Sequence, residues 1–356
     1  MMHFLTRYSA ISLLFLSFCT PAFATHEIKQ FRDIVWASPK GFDLTLDIAV
    51  PQTATKDKPV LVIFHGGGWL LNNKSIMTDL ANSIASRTDV ITVNANYRLL
   101  TDVNNTTTVN ELIEDGMGAV LWVKDNIKHY GGDPKKVAVT GDSAGGHLAA
   151  MVVVAGRNLD SDGFNKKPLG FKPTYLPKGK SAEQVARSDG LKIHAAILSY
   201  AGYSLVEVAK GNFETEKNPF WKWANATPRS MFGGTINVND NTEYYEAVSP
   251  NHYLISKKDY GLAEQFVHVG ELDMMTTPER ATAYVEQLKK LGQPVRFTIY
   301  EGKGHGFLDS GCNDYNKGCF KDLSEPAVTD MVNFLNDVFA LKSAEKKQWR
   351  IGAPLP

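Results

Sequence analysis

Six short runs of uninterrupted apolar character recur along the chain: VLVIF (60–64), VITVN (90–94), VAVT (137–140), AAILSY (195–200), FVHV (266–269) and VRFTIY (295–300). A run this short with so little polar alternation describes a strand buried on both faces. Helical patterns fall between them. Met77 to Ser86 is one, and Leu148 to Ala155 is another. In Asn110 to His129, Leu112, Met117, Val120, Leu121 and Ile127 can share one face. Pro278 to Leu291 has proline near its start and Gly292 just past its end, as helix boundaries prefer. A final helix spans about Pro326 to Ala340. Strands alternating with helices predict an α/β fold, a mostly parallel sheet of about eight strands flanked by helices. Upstream, Phe42, Leu44, Leu46, Ile48 and Val50 alternate with mostly polar residues, and another strand is expected over Ile28 to Trp36. These two predict an antiparallel edge.

Charge narrows the partners. The 38 basic and 38 acidic residues cancel, and no Lys/Arg run supports nucleic-acid binding. The first residues read as a signal peptide: Arg7 precedes the apolar ISLLFLSF, and Ala22-x-Ala24 follows. The apolar run is well short of the roughly 20 residues a spanning helix needs. Cleavage after Ala24 is expected, with residues 25–356 exported, periplasmic or secreted, and no stable membrane anchor. Phe18 stands where a lipoprotein signal before Cys19 wants a small residue. The mature chain then holds two cysteines, Cys312 and Cys319, whose close spacing predicts a disulfide. For so short a loop the chain-entropy model gives about 2.5 kcal/mol. The mature chain is expected to be a single domain with insertions at about 157–190 and 203–250. The first is polar, and the second carries Phe213, Phe220, Trp221, Trp223, Tyr244 and Tyr245. Both are expected above the sheet, where active-site walls are often built from loops.

Chemistry concentrates where runs end. VAVT leads into Gly141-Asp142-Ser143-Ala144-Gly145, a G-x-S-x-G pattern between a buried strand and a helix of small residues. That context describes a nucleophile elbow, with Ser143 left at a strand end and on a helix N-terminus. VLVIF leads into His65-Gly66-Gly67-Gly68-Trp69. Three glycines after a strand let backbone N–H groups converge, and with the Ala144 amide they can hold an oxyanion. A phosphate cradle is disfavoured, since neither a Walker sequence nor G-x-G-x-x-G opening a helix is present.

A serine needs a base. His305 follows the last strand in EGKGHGF, a loop from which a ring can reach back. His65 falls in the glycine loop, His147 in the helix behind the serine, His268 inside a strand, and His129 and His194 flank surface turns. The base needs a carboxylate to orient it. Asp273, just past FVHV, is the leading candidate, with Glu271 and Asp309 nearby and Asp142 expected to point away.

HGGGW, GDSAGGHLAA, GELD and GKGHGF together resemble the α/β-hydrolase superfamily over essentially the whole mature chain. More narrowly the chain is similar to the hormone-sensitive-lipase-like esterases and the bifunctional acetylxylan/feruloyl esterase group. His-Gly-Gly-Gly-Trp and Ser-Ala-Gly-Gly-His-Leu-Ala favour the second group. The resemblance implies Ser143 as nucleophile, His305 as base and then acid, and Asp273 as its orienter. Gly67, Gly68 and Ala144 form the implied oxyanion hole, and which loop glycines donate stays open. It implies a serine esterase without metal or cofactor, acting on short-chain or aromatic acyl esters of a small molecule or carbohydrate. An amide or peptide hydrolase on the same fold is the alternative, and a non-catalytic binding protein a third. The 157–190 insertion and the Cys312/Cys319 loop depart from the pattern and are expected to border the site.

Overall fold

The computed structural model describes residues 25–313 and 315–341; the signal peptide expected over residues 1–24 lies outside them. Eight strands form one sheet: β1 (Ile28–Ala37), β2 (Leu44–Pro51), β3 (Lys58–Phe64), β4 (Ile91–Ala95), β5 (Gly132–Asp142), β6 (Ala195–Ser199), β7 (Glu264–Gly270) and β8 (Val295–Tyr300). Their order is β1-β2-β4-β3-β5-β6-β7-β8. β1 pairs antiparallel with β2, and β2 with β4; every other pair is parallel. The antiparallel edge and parallel centre follow the sequence pattern. β3, β4 and β6 are buried at every position, as unbroken apolar runs require. β5 starts earlier than its apolar run, because the polar Gly132 to Lys136 stretch still pairs alongside β3, with Gly132 opposite Lys58.

The main helices are Thr78–Arg87, Val109–Asn126, Ser143–Ala155, Pro278–Lys290 and Ala327–Val338. Helix Ser143–Ala155 begins at the serine rather than at Leu148, since its glycines are helical too. Helix Val109–Asn126 also differs from expectation. In place of one apolar face it is buried through almost all of Val109 to Val123, including Glu114 and Asp115.

Segment 157–190 explains that burial. It was expected as a wall of the site; its contacts instead run along helix Val109–Asn126. The amide of Thr174 donates to the Glu114 carbonyl, and that of Lys172 to Glu114 Oε1 at 3.1 Å. A Cβ on Gly118 would lie 2.7 Å from the Tyr175 nitrogen, and the Tyr175 hydroxyl donates to Asp125. Arg98 enters the same layer from the loop after β4. Its Nε and Nη2 donate to the two oxygens of Asp115 at 2.8 and 2.7 Å, and Nη1 reaches Glu111. Both charges are buried, and the bidentate geometry offsets their desolvation.

Burial, with the Asp115 and Glu111 charges beside it, pushes the Glu114 carboxyl up to about 8, against the hydrogen bonds from Lys172 and Asn110. A carboxyl whose folded value exceeds its unfolded one keeps its proton longer in the folded state. Stability then falls as pH rises from about 4.5 towards 8. Glu114→Gln removes that loss. In urea titrations the variant should gain stability relative to wild type between pH 5 and pH 8; an equal difference at both pH values refutes the assignment.

Candidate active site

β5 ends at Asp142, and the chain turns at Ser143 with φ of +50°, in the left-handed region. A non-glycine residue held there is strained, and the surroundings must enforce it. They do so through close approach. A Cβ on Gly145 would run into the carbonyl of Phe64, at the end of β3, and one on Gly146 would lie 2.7 Å from the Ala201 Cβ. The small residues of the pattern are therefore demanded by contact between helix and sheet. The serine stands at the first turn of helix Ser143–Ala155, where backbone N–H groups lack intrahelical partners.

The neighbouring strands deliver the other two groups. The amide of Leu272, just after β7, donates to the Lys303 carbonyl, just after β8, at 2.9 Å. This bond holds the two loops side by side. His305 Nε2 stands 2.9 Å from Ser143 Oγ, and His305 Nδ1 stands 2.8 Å from Asp273 Oδ2. With Nδ1 donating to the carboxylate, Nε2 is left to accept from the serine hydroxyl. Burial alone would raise the Asp273 pKa. The His305 hydrogen bond and charge, with the amides of Thr276 and Met275, outweigh it and hold the carboxyl below the ordinary aspartate range. It is therefore ionised near neutral pH.

Thr276 is a residue the sequence reading missed. Its hydroxyl donates to Asp273 Oδ2 at 2.9 Å and lies 3.3 Å from His305 Nδ1. Asp followed by Thr three residues on, before a helix, was the available signal, because such an Asp folds back on its own backbone. Of the other carboxylates considered, Glu271 binds the Gly302 amide. Asp142 is buried and its carboxyl is directed to the glycine loop, accepting from the Gly66 amide. Burial, then the nearby Asp309 charge, raises its pKa well above the usual range. Burial also pushes Asp309 up to about 6, although His305 works against the shift.

The glycine loop after β3 takes backbone angles open to few other residues. Gly67 has φ of +124° and Gly68 of +60°. The amides of Leu70 and Leu71 both donate to the Gly67 carbonyl, closing the turn. The amides of Gly67 and Gly68 donate to no other group among the described residues. Several side chains hold this loop. The Tyr97 hydroxyl donates to the His65 carbonyl at 2.6 Å, and the His65 ring stacks on Tyr97 at 4.4 Å. Trp69 Nε1 donates to His147 Nδ1 at 3.1 Å, and His147 Nε2 donates to the Val248 carbonyl at 2.8 Å. His147 is thus a neutral support, its pKa lowered by burial to about 4. His268 pairs with Ser199 inside the sheet, and His129 and His194 are exposed.

Segment 203–250 does reach this site. A Cβ on Gly68 would lie 2.7 Å from the Phe220 ring, and Phe213 meets Trp69 edge-on at 5.4 Å. On the opposite side, strands β9 (Cys312–Asn313) and β10 (Gly318–Cys319) form a hairpin joined by a Cys312–Cys319 disulfide. Asn316 at its turn donates to the Gly306 carbonyl at 2.7 Å, so this loop borders His305 as expected.

Comparison with known proteins follows the same lines. A family model described as alpha/beta hydrolase fold matches residues 61–309. A carboxylesterase of Mycobacterium tuberculosis is 33% identical over 141 residues, which cover 38% of this chain and 41% of that protein. A probable isoprenylcysteine alpha-carbonyl methylesterase of Arabidopsis thaliana is 23% identical over 288 residues, covering 80% of this chain and 52% of that protein. The chain thus spans about half the length, or less, of these curated relatives. The apo form of Thermogutta terrifontis esterase 2 superposes with a TM-score of 0.62 at 22% identity, covering 91% of this chain and 98% of that one. With the sheet order, the strained serine turn and the span of the family match together, the chain belongs to the alpha/beta hydrolase fold family.

Proposed function

We propose that this chain is an exported serine carboxylic-ester hydrolase. The observation that carries the reading is the unbroken line Ser143–His305–Asp273, with the serine at the N-terminus of a helix. In the proposed cycle Ser143 Oγ attacks the ester carbonyl carbon while His305 Nε2 takes its proton. The carbonyl oxygen becomes an oxyanion held by amides of Gly67, Gly68 and Ala144. The C–O bond breaks, and the alcohol leaves with the proton from His305. Water, deprotonated by His305, then attacks the acyl-enzyme, and the acid is released as Ser143 recovers its proton. Asp273 keeps the ring oriented and stabilises the imidazolium, and Thr276 steadies Asp273.

Short-chain or aromatic acyl groups suit the wall beside the glycine loop. Trp69, Phe213 and Trp221 are buried there against one another, and Trp221 Nε1 donates to the Phe213 carbonyl at 2.7 Å. A filled aromatic wall favours a small acyl group over a long chain. Carbohydrate acetyl or feruloyl esters are the proposed substrates, in keeping with the export signal and the motif resemblance.

Ser143→Ala should lower kcat on p-nitrophenyl acetate by about 10⁴-fold or more. It should also abolish labelling by paraoxon, which phosphorylates the esterase of Thermogutta terrifontis. Full activity in the variant sinks the reading, and faster turnover of aryl amides than of matched esters moves it to an amide hydrolase. His147→Ala removes the partner of Trp69 and should reduce kcat about tenfold, with KM changed less than threefold and part of the loss restored in His147→Asn. A loss confined to KM would show that His147 does not position the oxyanion loop. Export is tested by sequencing the mature N-terminus, which should begin at Thr25.

A further inference from the structure

Large apolar side chains are left in water on segments that border this site. Seven are exposed among the described residues, and four of them, Trp223, Leu272, Met274 and Tyr315, stand on segments that carry or border the triad or touch the glycine loop. Leu272 and Met274 flank Asp273 in the chain, and Met274 is 90% exposed while the Asp273 side chain is fully covered. Tyr315 rides the disulfide-closed hairpin, next to the Asn316 that holds the Gly306 carbonyl beside His305. Burial, then the charges of Asp273 and Asp309, push the Tyr315 phenol up. Trp223 closes the short helix Pro219–Trp223. Phe220 stands three residues earlier, on the same helical face, with its ring against Gly68 and 5.1 Å from that of Trp223. One exposed ring therefore stands on the oxyanion side and one on the histidine side.

Single exposed apolar residues are ordinary, but four on three segments that border one reactive centre point to a ligand surface. Its chemistry selects the ligand. The four side chains come from three separate segments, so they do not form the amphipathic helix that lies in a lipid interface. The charges alongside are mixed, with Lys222, Lys303 and Lys317 set against Glu271 and Glu301, which gives little attraction to anionic lipid. A pyranose ring presents one face of C–H groups and a rim of hydroxyls. Its C–H face packs on the negative face of an aromatic ring, and its hydroxyls stay in water.

We propose that Trp223 and Tyr315, with Leu272 and Met274, form a stacking platform for the sugar chain that carries the scissile ester. The platform rests on the ester-hydrolase reading above and deepens it, by naming the residues that recognise the alcohol part of the substrate.

Binding is tested apart from chemistry by titrating unacetylated xylohexaose into Ser143→Ala. Trp36, Trp69, Trp122 and Trp221 are buried, so among the described tryptophans Trp223 is the exposed reporter. A saturable blue shift of fluorescence is expected. By calorimetry, Trp223→Ala and Tyr315→Ala in that background should each weaken binding tenfold or more, and Trp223→Phe less. In the active enzyme both alanine variants should lower kcat/KM on acetylated xylo-oligosaccharide, relative to p-nitrophenyl acetate, by tenfold or more. Val35→Ala, an exposed apolar control on β1, should leave that ratio within twofold. The platform is overturned by no binding at millimolar xylohexaose, by ratios within twofold of wild type in both rim variants, or by adsorption to phosphatidylcholine vesicles in place of the oligosaccharide. Oligosaccharide bound through Trp223 by a wild type that cleaves no ester leaves the platform standing and removes the hydrolase reading. Ester cleavage with unaffected rim variants does the reverse.

Discussion

Contact between the helix after Ser143 and the end of β3 sets the geometry on which the rest of the site depends. Gly145 lies against the Phe64 carbonyl with no room for a Cβ. That contact forces the turn at Ser143 into a left-handed conformation and puts the serine beside the loop that begins at His65. A strained serine turn and a converging glycine loop are thus two consequences of one close approach. Backbone strain of this kind persists only where the surroundings over-determine it. Here they do so through close packing on both sides, from Phe64 and from Ala201.

The polar interior serves the same geometry. Tyr97 ties down the His65 carbonyl, and the next residue, Arg98, is anchored in the Asp115 carboxylate. A loop edge that supports the glycine turn is thereby fastened to a buried helix. Asp142 accepts the Gly66 amide from below, and His147 holds Trp69 from the side. Neutral or paired polar groups suit such positions, because an unpaired buried charge would cost several kcal/mol, on the order of 3–5. This explains why His147, for all its closeness to the serine, is a support: burial keeps it uncharged and both of its ring nitrogens are engaged.

Much of the site could be read in the chain because each part falls where an apolar run stops. VAVT ends at the serine, VLVIF at the glycine loop, FVHV before Asp273, and VRFTIY before His305. In a parallel sheet these strand ends share one edge, so residues far apart in sequence are brought together there. Thr276 was not legible in the same way, because its function comes from the fold of one turn around Asp273. Segment 157–190 was misplaced for a related reason. Polar composition marks a surface excursion, but not which helix it will cover, and it lies over Glu114 and Asp115, whose buried carboxyls accept hydrogen bonds from Lys172 and Thr174.

By itself the sequence determined the parallel sheet, its antiparallel edge, the elbow, the glycine loop and the three candidate residues, since periodicity and turn chemistry are local properties. The tertiary structure decided how they meet: the His305 ring between Ser143 and Asp273, the Thr276 brace, the neutral His147 and the exposed Trp223 and Tyr315. Most of these distances and tautomers depend on neighbours between 32 and 162 residues away in the chain, beyond any short window of sequence.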